Sequence, residues 1–99
     1  MYVVEIFLPI ADNAGRAFPR HLYDEQKAKL AETYGGLTAF TRAPAEGIWG
    51  QDKTRDDIVI FEVMTPSLDK AWWQSYRQTL QGLFRQDQIL IRATRSDRL

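Results

Sequence analysis

The run Ile58-Val59-Ile60-Phe61-Glu62-Val63-Met64 constrains this chain more than any other stretch, because it is apolar on nearly every position of both strand faces. It is rich in β-branched and aromatic residues and is bounded by Asp57 and Pro66, so a strand is expected over 58–64. Alternation puts Val59, Phe61 and Val63 on one face and Ile58, Ile60, Glu62 and Met64 on the other. Such a strand must be covered twice. A layer of helices can cover one face, and the second face needs a different cover.

The rest of the chain supplies the neighbours. Residues 2–8 read as a strand with Tyr2, Val4, Ile6 and Leu8 on one face and Val3, Glu5 and Phe7 on the other, ending at Pro9. A long loop over 9–20 holds Asp12, Asn13, Gly15 and Pro19, residues that favour turns. Leu22, Tyr23, Leu30, Ala31 and Tyr34 recur at helical spacing and predict a helix over 22–34, with Gly35 as its left-handed stop. A strand follows over 37–42 and ends before Pro44, and residues 43–57 form a hairpin-like excursion that carries Trp49.

After the central run, Thr65 as cap and Pro66 at the first helical position predict a second helix to about residue 85, with Leu68, Trp72, Tyr76, Leu80 and Leu83 on its apolar face. Trp72 and Trp73 point about 100° apart on a helix, so one is expected in the core and the other at its border. A last strand is expected over 88–94, with Ile89, Ile91 and Ala93 on one face and Leu90 and Arg92 on the other.

The order strand, helix, strand, strand, helix, strand is the split βαβ pattern of the ferredoxin-like fold, an α+β class with both helices on one face of an antiparallel sheet. Strand four is expected beside strand one, and strand three on the other side of strand one. The helices then cover Val4, Ile6, Leu8, Val59, Phe61, Val63, Ile89 and Ile91. The opposite face holds Val3, Glu5, Phe7, Phe40, Ile58, Ile60, Glu62, Met64, Leu90 and Arg92, too apolar a surface to end in water. A second copy of the chain, packed sheet to sheet, is the simplest cover. In length and element order residues 2–94 resemble the dimeric α+β barrels. Gly35, Gly36, Thr38, Pro44, Gly47 and Trp49 also resemble a Gly-Gly-x-Thr, Pro, Gly-x-Trp signature of small bacterial proteins, one that carries no activity with it.

Bulk properties narrow the function by exclusion. The chain of 99 residues, without repeats, is expected to form one domain whose modest core gains from self-association. Thirteen basic residues balance thirteen acidic ones, so no long-range field is set up for nucleic acid or an anionic membrane. The absence of cysteine excludes disulfides and thiolate chemistry and suits a cytoplasmic setting. Glu5 interrupts the first apolar run, so neither a signal peptide nor a membrane anchor is expected. Arg85, Arg92, Arg95 and Arg98 make the end basic, yet the third strand offers Ile58, Ile60 and Glu62 where an RNA-recognition module needs a basic motif with exposed aromatics.

Candidate chemistry centres on Glu5 and Glu62, two carboxylates expected on one half-buried sheet face, where each should resist the ionisation of the other unless a cation sits close. Arg92 is expected to be that cation, with Arg42 a second. Either carboxylate could serve as a general base, with Arg92, Trp49, Arg42 and Phe40 binding the ligand. A purely structural alternative has the same cluster setting dimer register as a buried salt bridge. His21, the only histidine, could act as a base or haem ligand, but it lacks a second ligand at metal spacing and is better read as a surface or capping residue. No metal or other cofactor is expected. The sequence therefore leads to a homodimer with a pocket for a small, partly apolar organic molecule between the sheet face and the hairpin turn. The resemblance to the dimeric α+β barrels implies cofactor-independent oxygenase or isomerase chemistry if the protein is an enzyme. The competing expectation is a non-catalytic structural or interaction dimer.

Overall fold

A computed structural model describes residues 1–42 and 58–99. Their elements are β1 (Tyr2–Pro9), α1 (Arg20–Tyr34), β2 (Thr38–Arg42), β3 (Ile58–Thr65), α2 (Lys70–Leu83) and β4 (Ile91–Arg95). The strands form one antiparallel sheet in the order β2-β3-β1-β4. This is the ferredoxin-like α+β arrangement that the element order predicts. Trp49, Pro44 and Gly47 lie outside the described residues.

Both helices pack on one face. Val4, Ile6 and Leu8 of β1 stand in register with Val63, Phe61 and Val59 of β3. Leu30 of α1 and Trp73, Tyr76 and Leu80 of α2 close over them, joined by Phe18, Phe84 and Ile89. Fully burying such a side chain contributes about 1.5–3 kcal/mol, so this layer carries most of the folding free energy. Trp73 is the core member of the tryptophan pair and Trp72 the half-buried one, as the angle between helical neighbours requires. Tyr34 joins the two helices by stacking on Trp73 at 5.2 Å between ring centres and meeting Trp72 edge-on at the same distance. Deeper between the helices, the Tyr76 hydroxyl donates to Gln26 Oε1 at 2.9 Å, which satisfies a buried amide oxygen.

Several boundaries depart from the sequence expectation. Helix α2 starts at Lys70, because the Asp69 carboxylate accepts the Trp72 N–H at 3.1 Å and caps the helix there. Thr65 instead ends β3 and donates its hydroxyl to the Ser67 carbonyl at 2.7 Å. At the other end α2 stops at Leu83 in a Schellman turn, in which Gln86 N–H reaches the Gln81 carbonyl at 3.0 Å and Arg85 N–H reaches Gly82 at 3.3 Å. Arg85 therefore occupies the left-handed position, with φ 50°, and the turn buries Phe84 while leaving Leu83 exposed. Strand β4 begins at Ile91, three residues later than expected, because Ile89 drops into the core and the Leu90 carbonyl accepts the Phe7 N–H at the entry to the ladder.

The loop between β1 and α1 is a built turn. Asp12 Oδ1 accepts the N–H groups of Ala14 and Arg16 at 2.9 and 2.8 Å, and Gly15 turns the chain with φ 84°. The Arg16 N–H is the main influence holding the Asp12 carboxyl below its ordinary value, helped by the Ala14 N–H and the Arg16 and Arg85 charges. Phe18 returns the chain to the core, edge-on to Phe84 at 5.1 Å. Gly35 ends α1 with φ 84° and its N–H on the Ala31 carbonyl, as its position predicts.

Candidate functional site

The face of the sheet away from the helices is organised in rows. One row crosses all four strands as Thr38, Glu62, Glu5 and Arg92, each in register with the next. The backbone register alone brings Glu5, Glu62 and Arg92 together. The next row is Phe40, Ile60, Phe7 and Leu90, and the row beyond is Arg42, Ile58 and Pro9. On the other side stand Met64, Val3 and Thr94. A polar band one residue wide thus crosses an apolar surface.

The hydrogen-bond phase of the ladder makes the carboxylate pair close. Phe7 N–H bonds the Leu90 carbonyl, so the odd-numbered residues of β1 exchange backbone bonds with β4. Glu5 and Glu62 are consequently a non-hydrogen-bonded pair, the type with Cα atoms about 4.5 Å apart and side chains nearest. Like charges directly opposite in such a pair are destabilising. Arg92 offsets this on one side only. Its Nε donates to Glu5 Oε1 at 2.8 Å, and its guanidinium lies 5.1 Å from the centre of the Phe7 ring. The Glu5 side chain is 20% exposed and that of Arg92 54%. Glu5 is thus a held carboxylate, and Glu62 lies half-buried across the strand pair from it.

The remaining expected site residues are distributed along the face. Phe40 stands one row from the carboxylates, opposite Ile60, a residue only 1% exposed. Arg42 stands two rows away, opposite Ile58, so its backbone is about 13 Å along β2 from the residue facing Glu62. Trp49 falls outside the described residues. His21 is exposed in the first turn of α1, on the helical layer and away from this face. Thr38 is the residue the chemical argument missed. Its alternation on β2 placed it on this face, but only the register shows it beside Glu62.

Clefts formed by described residues lie around the helical layer and the sheet edge. One of about 240 Å³ opens between α1 and the β2 end of the sheet at Tyr23, Lys27 and Phe61. Another of about 200 Å³ opens between α2 and β4, over Trp73. No group of His, Cys, Asp and Glu side chains among the described residues could hold a metal ion. No helix among them is long and apolar enough to cross a membrane.

The fold and the carboxylate row define a ferredoxin-like α+β protein with a polar band on its open sheet face. The chain is similar in structure to a phage SAM lyase in complex with S-methyl-5′-thioadenosine, with a TM-score of 0.59 over 94% of this chain and 79% of that one. The two share 14% of their residues, a likeness of fold alone. No family model and no curated protein matches the sequence.

Proposed function

We propose that the open sheet face binds a small, partly apolar organic molecule and that Glu62 acts there as a general base. The observation that carries this is the close Glu5–Glu62 pair with its single described arginine held by Glu5. Two adjacent carboxylates oppose folding, and a surface that keeps them is better explained by use than by packing. Arg92 holds Glu5 in place, which leaves Glu62 to take a proton from an acidified C–H or N–H of the ligand. Phe7 flanks the row with flat apolar surface, Phe40 and Arg42 follow Thr38 along β2, and Trp49 is taken to bind the ligand with them. Such a site works by proton transfer with the chain's own residues, as a cofactor-independent oxygenase or isomerase would. The face is closed by a second copy of the chain, giving a cytoplasmic homodimer of single-domain subunits.

The fold neighbour supplies the first probes. Its ligand, S-methyl-5′-thioadenosine, combines a flat base with polar sugar edges and a thioether, and S-adenosylmethionine adds a sulfonium cation. A row with two carboxylates and one arginine suits a cationic or hydrogen-bond-donating ligand. Isothermal titration of both compounds against the wild type and Glu62→Gln tests the site. Binding that is lost in Glu62→Gln supports it, and equal binding by the two proteins overturns it.

A second reading has one observation in its favour. The Glu5–Arg92 ion pair is complete within one chain at 2.8 Å, as a register-setting pair would be. If the cluster is structural, Glu5→Gln weakens self-association in sedimentation and leaves every ligand response unchanged.

A further inference from the structure

Strand β4 is an outer strand of the sheet, with β1 as its neighbour among the described residues. Leu90 accepts from Phe7 N–H and Ser96 donates to the Met1 carbonyl, so the even-numbered residues of β4 point their backbone groups at β1. Ile91, Ala93 and Arg95 therefore direct their N–H and C=O groups outward. No proline interrupts this edge, and its charges, Arg92 and Arg95, are both basic.

Beside it runs the cleft of about 200 Å³ between β4 and α2. Its apolar lining comes from Leu68, Trp73, Ile91 and Ala93, and Lys70, Arg77 and Arg92 line it with them. Trp73 is 6% exposed, and its indole N–H is sealed from solvent with no acceptor among the described residues. Neither α2 nor β4 contains an Asp or Glu, and the charged residues that line the cleft, Lys70, Arg77 and Arg92, are all basic.

We infer that this edge and cleft dock an extended peptide of alternating acidic and apolar residues, which adds a strand to β4 and sets an apolar side chain over Trp73. The outward backbone groups of Ile91, Ala93 and Arg95 supply the main-chain bonds, and the cleft supplies a side-chain pocket, the usual division of labour in strand addition. Charge decides the occupant. Lys70, Arg77 and Arg95 attract carboxylates, whereas a second copy of β4 would gather the arginines of both chains, Arg92 and Arg95 from each, along one short seam. The cleft shares Arg92 with the carboxylate row, and docking there does not depend on the function proposed for that row.

The test uses the full chain, isotopically labelled, and a synthetic peptide of about eight residues alternating leucine and glutamate, with its leucine–lysine counterpart as control. The expected result is that the glutamate peptide binds in a salt-sensitive manner, slows amide exchange at Ile91, Ala93 and Arg95, and shifts the Trp73 indole N–H resonance. Ala93→Pro removes an outward N–H without touching the β1 ladder and is expected to weaken binding about tenfold or more. Arg77→Glu, an exposed helical change that leaves the strand intact, is expected to do the same and keeps the proposal testable if Ala93→Pro fails to fold. Equal binding of the lysine peptide, binding with those three amides unmoved, or no binding at millimolar peptide overturns the proposal. So does slow exchange of the same amides in a peptide-free dimer, which would assign the edge to a second copy.

Discussion

Glu5 on β1 stands directly opposite Glu62 on β3, in the close type of antiparallel pair, and Arg92 holds Glu5 from the other side at 2.8 Å. The sheet therefore keeps two carboxylates together with one arginine fixed to one of them. Glu62→Gln is expected to raise stability by up to about 1 kcal/mol, because it removes a directly opposed like charge. Arg92→Ala is expected to cost about 1 kcal/mol, and the double variant should recover part of that loss. Denaturant midpoints of the four proteins measure the coupling. Strict additivity would mean that Glu62 and Arg92 do not couple.

The Tyr76–Gln26 bond joins the helices across the core. Tyr76→Phe leaves the buried Gln26 oxygen without its donor and is expected to cost about 1–3 kcal/mol, although it removes only one atom. Gln26→Leu combined with Tyr76→Phe replaces both partners by apolar groups and should cost less than Tyr76→Phe alone. Thermal unfolding of the single and double variants orders them.

Burial raises the Tyr76 hydroxyl well above its ordinary value of 10.0, and burial also raises Tyr23 and Tyr34. The folded state thus favours the neutral phenol, and this stabilisation is fully present below pH 10 and lost as pH climbs above it. For Tyr76 the loss runs at roughly 1.4 kcal/mol per pH unit once unfolded tyrosine ionises. Urea midpoints from pH 9 to 11.5 should fall steeply, and Tyr76→Phe should flatten that fall.

The start of α2 rests on Asp69. Asp69→Ala is expected to cost about 1 kcal/mol by exposing the Trp72 N–H, and Asp69→Asn only a few tenths. Pro66→Ala, at the position a sequence argument favours for the helix start, should change stability by less than about 0.5 kcal/mol because it lies outside the helix. A Pro66 effect larger than that of Asp69 would move the helix start back to residue 66.

Arg85 holds the left-handed turn after α2 at φ 50°, where a side chain costs about 1 kcal/mol, and its guanidinium reaches Asp12 at 3.4 Å. Arg85→Gly trades a weak exposed ion pair for relief of backbone strain, whereas Arg85→Ala loses the pair and keeps the strain. The glycine variant should therefore be the more stable of the two, the reverse of helix propensity.

Much of the fold was legible before any coordinates. The two-faced run at Ile58 to Met64, the alternation after Tyr2 and the helical spacing of Leu30 and Leu80 are local patterns, and each element they predict is present. Local signals also misled where two of them competed. Thr65-Pro66 resembles a helix start, but Asp69 caps better because its carboxylate reaches a free N–H of the first turn. Phe84 went unnoticed because it lies beyond the helical repeat, and the Schellman turn alone swings it into the core.

For the candidate site, the sequence by itself determined which residues share the open face, since alternation along a strand is a property of the backbone. That Glu5, Glu62 and Arg92 should meet followed from the strand order expected for this topology. Tertiary structure decided the rest. Register, which a shift of two residues would change without moving any residue to the other face, set Glu62 opposite Glu5, Thr38 beside Glu62 and Arg42 two rows away. The phase of the hydrogen-bond ladder then made the two carboxylates a close pair and left Ile91, Ala93 and Arg95 facing outward, because which residues bond across a strand pair is fixed only when the strands meet.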